Sequence, residues 1–335
     1  MLMLGTLHDR VGETRNVYRK NKPNMTTQTF CLTSSLRCVE MKGAEQSFSH
    51  EGFLDGGWGR VIGRSGEHAS SNFFKNGAAY DYDFGATQTG LDLYGREDAS
   101  GNWDKFGLYV GYGHGKSHVK GVYVGSAGHV DMDMYSLGAY YTHMAASGWY
   151  TDTIIQASWY DANATSTASQ VLTPNGFGIL ASFETGYAFR LSNGVSLEPQ
   201  AQLVYQRVSF DNVSDAYGRF YFDDASSFRG RFGMRVVKNW FEDEEGRPEV
   251  FSIWLRSNIW HEFNNDNGLN VTDLYGLNGV SFSSMQKGTW GEIEAGIAGR
   301  LTDHVNLFAS TSYSHSLDGK DYSDWGGQVG FTINW

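Results

Sequence analysis

The carboxyl-terminal segment alternates faces without a break. Val329, Phe331, Ile333 and Trp335 fall on one side of an extended chain, and Gln328, Gly330, Thr332 and Asn334 on the other, the two-residue period that a β-strand imposes. The same period recurs upstream. Between residues 226 and 241, Phe228, Phe232, Met234, Val236 and Trp240 oppose Arg229, Arg231 and Arg235. Between 248 and 264, Phe251, Ile253, Leu255 and Ile259 oppose Ser252, Arg256 and Asn258; between 288 and 302, Ile293, Ala295, Ile297 and Leu301 oppose Glu292, Glu294 and Arg300. The stretches 175–191 and 194–211 place Glu184, Arg190, Glu198, Gln200, Gln202 and Gln206 on their polar side. Twelve strands are predicted, at 53–65, 78–95, 103–119, 129–146, 148–165, 175–191, 194–211, 226–241, 248–264, 288–302, 304–316 and 324–335.

The connections between these strands alternate in length. Arg96 to Asn102, Ala146–Ser147, Ser192–Asn193, Glu242 to Arg247 and Asp303 are brief, and Asn193-Gly194 is a hairpin signal. Longer polar excursions lie between them: Ser65 to Ala78, Lys120 to His129, Ala164 to Asn175, Asn212 to Ala225, Asn264 to Lys287 and Leu317 to Ser323. Short turns on one rim and long loops on the other are the asymmetry of an outer-membrane barrel. An even strand number returns both barrel ends to the short-turn rim, and Val271 to Ser283 alternates enough to form an additional hairpin. The expected fold is therefore an all-β, twelve-stranded antiparallel transmembrane β-barrel, with apolar faces towards lipid. A lipid-facing Arg at the bilayer midplane costs about 2–4 kcal/mol, so Arg229, Arg231 and Arg235 must look inward. Glu184, Arg190, Glu198, Arg256, Glu292, Glu294 and Arg300 join them as expected lumen-lining residues of both signs, with mutual pairing favoured over contact with a threaded chain. Trp149, Tyr150, Trp159, Tyr160, Trp240, Trp260 and Trp335 concentrate near strand ends, where interfacial girdles form.

Ahead of the strands the period changes. In residues 1–19, Leu4, Leu7 and Val11 follow a helical spacing with charges between them. Residues 20–52 hold Lys-Pro-Asn, a Thr/Ser-rich patch, Cys31 and Cys38, and read as a linker before a barrel domain at 53–335. The two cysteines match no zinc spacing, and incidental thiols are favoured over a disulfide. Met1 to Gly5 carries neither a basic region nor an apolar core of a signal peptide. A barrel bound for the outer membrane must first cross the inner one, so the chain is expected to be the carboxyl-terminal portion of a longer precursor, or a truncated frame.

Composition agrees with this picture. The chain has 42 Gly, 4 Pro and 15% aromatic residues, suited to twisted strands and girdles. The mean hydropathy of −0.41 and the lack of any run near ~20 apolar residues exclude a membrane helix, a test that a barrel escapes because only alternate residues meet lipid. A net charge of −11 argues against nucleic acid as partner. Candidate chemistry is thin. His114 and His118 share a strand face but lie ~13 Å apart, too far for one metal. Asp81/Asp83, Asp131/Asp133 and Glu292/Glu294 read as polar strand faces, no G-x-S-x-G motif occurs, and Gly111-Tyr-Gly-His-Gly115 lies inside a strand and not at a strand–helix junction. No enzyme, cofactor or metal site is expected.

Gly57-Trp-Gly-Arg-Val-Ile-Gly63, Gly90-Leu-Asp-Leu-Tyr-Gly95, Phe106-Gly-Leu-Tyr-Val-Gly-Tyr-Gly-His-Gly115 and Gly330-Phe-Thr-Ile-Asn-Trp335, preceded by Leu4-Gly-Thr-Leu-His-Asp-Arg-Val-Gly-Glu13, resemble the β-domain of the classical autotransporters, the type V secretion proteins of Gram-negative bacteria. That resemblance covers residues 53–335 well and 1–19 more loosely. It implies a helix threaded through the lumen, joining an N-terminal passenger to the first strand. It further implies secretion of that passenger to the cell surface as an extended hairpin, and its anchoring there. The implied setting is the bacterial outer membrane, with long loops extracellular and both barrel termini periplasmic. The implied partners are outer-membrane lipid, the β-barrel assembly machinery, periplasmic chaperones and the chain's own passenger. Val329, Phe331, Ile333 and Trp335 would form the C-terminal insertion signal. The sequence departs from the family in its long 20–50 segment, in the near absence of a passenger, and in lacking an Asn-Asn pair in residues 1–19. The runner-up reading is an outer-membrane adhesin or hydrolase acting through its external loops, and a soluble β-sandwich stands well behind.

Overall fold

The computed structural model describes residues 7–12, 30–31, 38–39, 50–69, 78–121, 125–167, 170–241, 249–283, 288–302, 304–318 and 322–335. Twelve long strands follow one another: β1 (His50–His68), β2 (Ala79–Glu97), β3 (Trp103–Gly121), β4 (Gly125–Met144), β5 (Trp149–Ser166), β6 (Asn175–Tyr187), β7 (Val195–Phe210), β8 (Ala225–Phe241), β9 (Glu249–Asp266), β10 (Gly288–Arg300), β11 (Val305–Ser316) and β12 (Tyr322–Asn334). Each pairs antiparallel with its sequence neighbours, and β12 closes onto β1 from Tyr322↔His68 to Asn334↔Gly56. The result is a closed barrel without a free edge.

Closure fixes the geometry. A row of directly paired residues that leaves β8 at Asn239 passes Ser252, Phe308, Arg60, Gly111 and Ser158 and returns to β8 at Ala225, fourteen positions from its origin. Twelve strands with that offset tilt by about 40° and place the backbone about 11 Å from the axis.

Side chains alternate between the two faces throughout. On β3, Phe106, Leu108, Val110 and Tyr112 point out, while Trp103, Lys105 and Tyr109 are buried inside. Aromatic residues bracket the outward apolar band. Tyr112 packs beside Tyr135 and Trp159 beside Phe177 on the long-loop side, and Trp240 beside Phe251 and Tyr187 beside Phe189 on the short-turn side. Trp149, Trp159, Trp240 and Trp335 are exposed outward as a girdle requires, but Tyr150, Tyr160 and Trp260 are buried in the lumen. Proximity to a strand end suggested otherwise for these three; strand parity decides the side.

β3 and β4 run further towards the long loops than the sequence pattern indicates. The expected excursion from Lys120 to His129 is largely strand, since β3 reaches Gly121 and β4 starts at Gly125. A 19-residue strand is roughly 60 Å long, and at this tilt it outreaches the ~25 Å apolar band. Past the band both faces are wet, so the ladder continues while the hydrophobic alternation disappears. On the outward face it becomes a polar lattice: Asp133 Oδ1 accepts from Tyr112 Oη at 2.7 Å and meets His114 Nδ1 at 2.9 Å, and His118 Nδ1 meets Asp81 Oδ1 at 3.1 Å. Both histidines are thus strand-face partners of carboxylates.

Four shorter strands, Val213–Ser214, Arg219–Phe222, Gly268–Thr272 and Val280–Ser283, form a separate sheet beyond the long-loop rim. It includes the hairpin expected around 271–283. Two-residue strands Phe30–Cys31 and Cys38–Val39 pair in the segment read as linker, the rest of which lies outside the described residues up to His50.

Candidate functional site in the barrel lumen

One short helix, α1 (Leu7–Val11), lies inside the barrel. The rest of the helical expectation for residues 1–19, Leu4 included, falls outside the described residues. Leu-His-Asp-Arg-Val contains no breaker, and Gly12, at φ 69°, ends the turn by donating its N–H to His8 O at 2.8 Å. A side chain at Gly12 would collide with Phe308 of β11. Leu7 and Val11 bury against Tyr150, with Met144 beside them.

The three polar residues between them are each held by the wall. Arg10 Nη2 donates to Asp152 Oδ1 on β5 at 2.6 Å, Nη1 donates to Oδ2 at 3.1 Å, and the guanidinium lies 4.3 Å from the Tyr140 ring centre. This is a bidentate pair with an aromatic backing, the arrangement in which a buried guanidinium is best satisfied. His8 Nε2 shares a 2.7 Å hydrogen bond with Glu198 Oε1 on β7 and meets Tyr150 edge-on. Asp9 Oδ1 accepts from Arg256 Nη2 on β9 at 3.0 Å, and its backbone carbonyl accepts from Arg60 Nη1 on β1 at 3.1 Å. Arg235 on β8 donates to Gly12 O at 3.3 Å. Thr142 Oγ1 on β4 accepts from Arg10 Nη2 at 3.3 Å, so six strands grip one helical turn. These pairs offset part of the usual penalty for burying the charges, while His8 Nδ1 and Arg256 Nε and Nη1 have no hydrogen-bond partner among the described residues.

Above α1 lie further pairs. Arg231 Nη2 donates to Glu184 Oε2 at 2.7 Å and lies over Trp260; Arg256 also donates to Glu294 Oε2 at 2.5 Å; Arg229 pairs with Glu262 and Arg64 with Asp324. A cavity of about 160 Å³ sits among Asp9, Arg60, Arg231, Arg256 and Glu294. This is room for a few waters.

The sequence-derived lumen residues fall as follows. Glu184, Glu198, Arg231, Arg235, Arg256 and Glu294 are buried on the inner wall; Arg229, Glu292 and Arg300 are half-buried on inward positions. Arg190 is a correction. It is exposed, in the two-residue strand Phe189–Arg190 opposite Ser196, because β6 ends at Tyr187 and Ala188 already bonds the adjacent turn through Gly148 O. It lies at the rim and not in the bore. Sequence reasoning missed Arg60, Asp92, Lys105, Asp152, Glu262 and Asp324. Asp152 was findable, since it shares parity with Tyr150 and Ile154 on a strand whose other face is Trp149, Ile155 and Trp159. Of the carboxyl-terminal residues, Val329, Phe331 and Trp335 are exposed outward and Ile333 partly so, while Thr332 is buried inside. Beside the charged lumen residues, Ile62, Phe84, Ala86, Met134 and Tyr160 form an apolar cluster on inward positions.

A closed twelve-stranded barrel with a polypeptide turn clamped in its bore defines a class of membrane protein. The model of the Autotransporter beta-domain family matches residues 57–312, and the chain belongs to that family. It is 29% identical over 265 residues to the Adhesin BmaC autotransporter of Brucella suis, covering 77% of this chain and 8% of that protein. It is 28% identical over 285 residues to the Pertactin autotransporter of Bordetella bronchiseptica, covering 84% of this chain and 29% of that protein. The chain thus spans less than a third of the length of these relatives. Among solved structures, the transport unit of the autotransporter AIDA-I from Escherichia coli matches with a TM-score of 0.70 at 20% identity, covering 89% of this chain and 93% of that one. The β-domain of the Bordetella autotransporter BrkA matches at 0.64 and 21%, covering 84% and 100%. Domains of this family reside in the outer membrane, and this barrel shares their fold.

Proposed function

We propose that the barrel is the translocator of its own N-terminal passenger, carrying it to the cell surface and anchoring it there. The observation that carries this reading is α1. A polypeptide already occupies the bore, held by Asp152, Glu198, Arg235 and Arg256, side chains that would otherwise be buried charges without these partners. In this reading the long loops and the four-stranded sheet are extracellular, and both barrel ends face the periplasm. Glu184, Glu198, Arg229, Arg231, Arg235, Arg256, Glu292, Glu294 and Arg300 line the path. No catalytic step is assigned to the barrel. Val329, Phe331, Ile333 and Trp335 present the terminal strand to the β-barrel assembly machinery, with periplasmic chaperones holding the chain beforehand; the support for this is their outward row on the strand that closes the barrel. A reporter passenger fused ahead of Met1 tests the proposal. Protease added to intact cells should remove the reporter and leave the barrel, and a reporter retained in the periplasm behind an assembled barrel would refute it.

A second reading, adhesion by the external loops, has one observation in its favour. The two hairpin tips Asp215-Ala-Tyr-Gly218 and Asp273-Leu-Tyr-Gly276 are built alike, each Asp accepting from backbone N–H groups of its own turn, and they expose Tyr217 and Tyr275. Loss of cell binding on Tyr217→Ser with Tyr275→Ser, in cells displaying only the barrel, would favour it.

A further inference from the structure

Cys31 and Cys38 lie in the connection between α1 and β1, and their spacing alone gives them no joint role. The fold relates them. Two short strands, Phe30–Cys31 and Cys38–Val39, pair antiparallel, with Phe30 registered against Val39 and Cys31 directly against Cys38. Directly opposed residues of an antiparallel pair have Cα atoms about 4.5 or 5.5 Å apart, depending on whether the two exchange hydrogen bonds. Both values fall inside the roughly 4.4–6.8 Å window that a disulfide spans. Register decides the matter. A slip of one residue would set Cys31 against Arg37 or Val39 and put the two cysteines on different faces of the ladder. Between them the sequence reads Leu-Thr-Ser-Ser-Leu-Arg, and Thr33, Ser34 and Ser35 are of the types that favour a turn.

The place of the pair in the chain suits a covalent link. Ahead of it, Gly12 is held in the bore by Arg235; behind it, His50 opens β1 opposite Glu97 at the short-turn rim. These are the two cysteines of the chain, and both follow the helical turn that occupies the bore. If a passenger is exported, the chain behind α1 stays where it is, so a closed ring there obstructs nothing. An outer-membrane protein also crosses the periplasm, an oxidising compartment in which disulfides form and persist. From Cys31 to Cys38 is seven residue steps. Closing the ring replaces that length, ~24 Å when extended, by a cross-strand distance of ~5 Å, which takes ~19 Å of reach out of the tether between α1 and β1.

We infer that Cys31 and Cys38 form an intramolecular disulfide as the chain passes through the periplasm. The oxidant is a disulfide-bearing protein of that compartment. One cysteine thiolate attacks the oxidant's disulfide and forms a mixed disulfide; the other then attacks the first cysteine's sulfur, closing the Cys31–Cys38 bond and releasing the oxidant as a dithiol. Two cysteine thiols are oxidised, one oxidant disulfide is reduced, and the two cysteine protons end on the oxidant's thiols. The inference needs the outer-membrane setting and does not depend on passenger export.

Trypsin tests it, because a cleavage site lies between the two cysteines. Cutting after Lys20, Arg37 and Lys42, with Lys22 protected by the proline that follows it, leaves Cys31 in peptide 21–37 and Cys38 in peptide 38–42. The full chain, exported behind a fused signal peptide and shown to be assembled by heat-modifiable migration, is denatured in N-ethylmaleimide without reductant and digested. Mass spectrometry should find the two peptides joined, and separate once reductant is added. On a non-reducing gel the undigested chain should run as a monomer. Separate peptides that each carry N-ethylmaleimide overturn the inference, and so does a disulfide-linked dimer. The joined form should be several-fold more abundant than in the same chain kept in the cytoplasm. Equal abundance in the two compartments would mean oxidation during handling, and overturns it as well.

Discussion

Single side chains set how firmly the bore is closed. The Arg10–Asp152 pair is buried on both sides, and removing one member of such a pair costs about 3–5 kcal/mol because the other is left as an uncompensated charge. Asp152→Ala should therefore loosen α1 and raise the ion conductance of the purified protein in planar bilayers; parental conductance would show that α1 is held without this pair. Glycines act through space in the same wall. A Cβ at Gly138 would enter the Tyr109 ring, whereas one at Gly63 on the outer face meets nothing within 4 Å. Gly138→Val should abolish heat-modifiable migration, while Gly63→Ala should migrate like the parent. At the outer tip, Asp273 is held below its ordinary 3.8 by the backbone N–H of Leu277, then by Asn278 and the N–H of Tyr275. A lowered carboxylate contributes its stability above the unfolded value and loses it as pH falls through the folded one. Hydrogen-exchange protection of the Tyr275 and Leu277 amides should thus be unchanged between pH 7 and 5 and disappear only below about 3.8; loss already at pH 5 would contradict the assignment.

At the scale of elements, legibility followed the solvent. Strands could be read wherever one side meets lipid and the other does not, which is why β8, β9 and β10 and their inward Arg229, Arg231, Arg235, Arg256 and Glu294 were visible in the sequence. The outer ends of β3 and β4, between Val119 and His129, were not, because both faces meet water there and a hydrogen-bonded ladder needs no hydrophobic period to persist. The apolar cluster in the lumen escaped for a different reason. Its signal is alternation of glycine with bulky residues between strands, Gly113 beside Met134 and Ala86, and cross-strand neighbours cannot be paired until the register is known. Arg190 misled because parity carries meaning only while the strand lasts. β12 remains the element with most at stake, since it supplies one side of the closing seam with β1. Deleting Phe331 to Trp335 should abolish membrane assembly, and a truncated chain found folded in the outer membrane would refute the role assigned to that strand.

For the whole molecule, closure is the controlling fact. With side chains lining a wall about 11 Å from the axis, an extended chain or hairpin fits and a folded domain does not. A reporter locked by an internal disulfide should stall inside the cell and pass once reduced. The fourteen-position offset between the ends of one row has a further consequence. A sheet that joins itself through antiparallel neighbours can gain or lose members only two at a time, and each change must re-index the seam as a whole. Calibre in such a protein is quantised. Evolution can repaint the lining residue by residue to suit a new cargo, but it cannot widen the doorway by degrees.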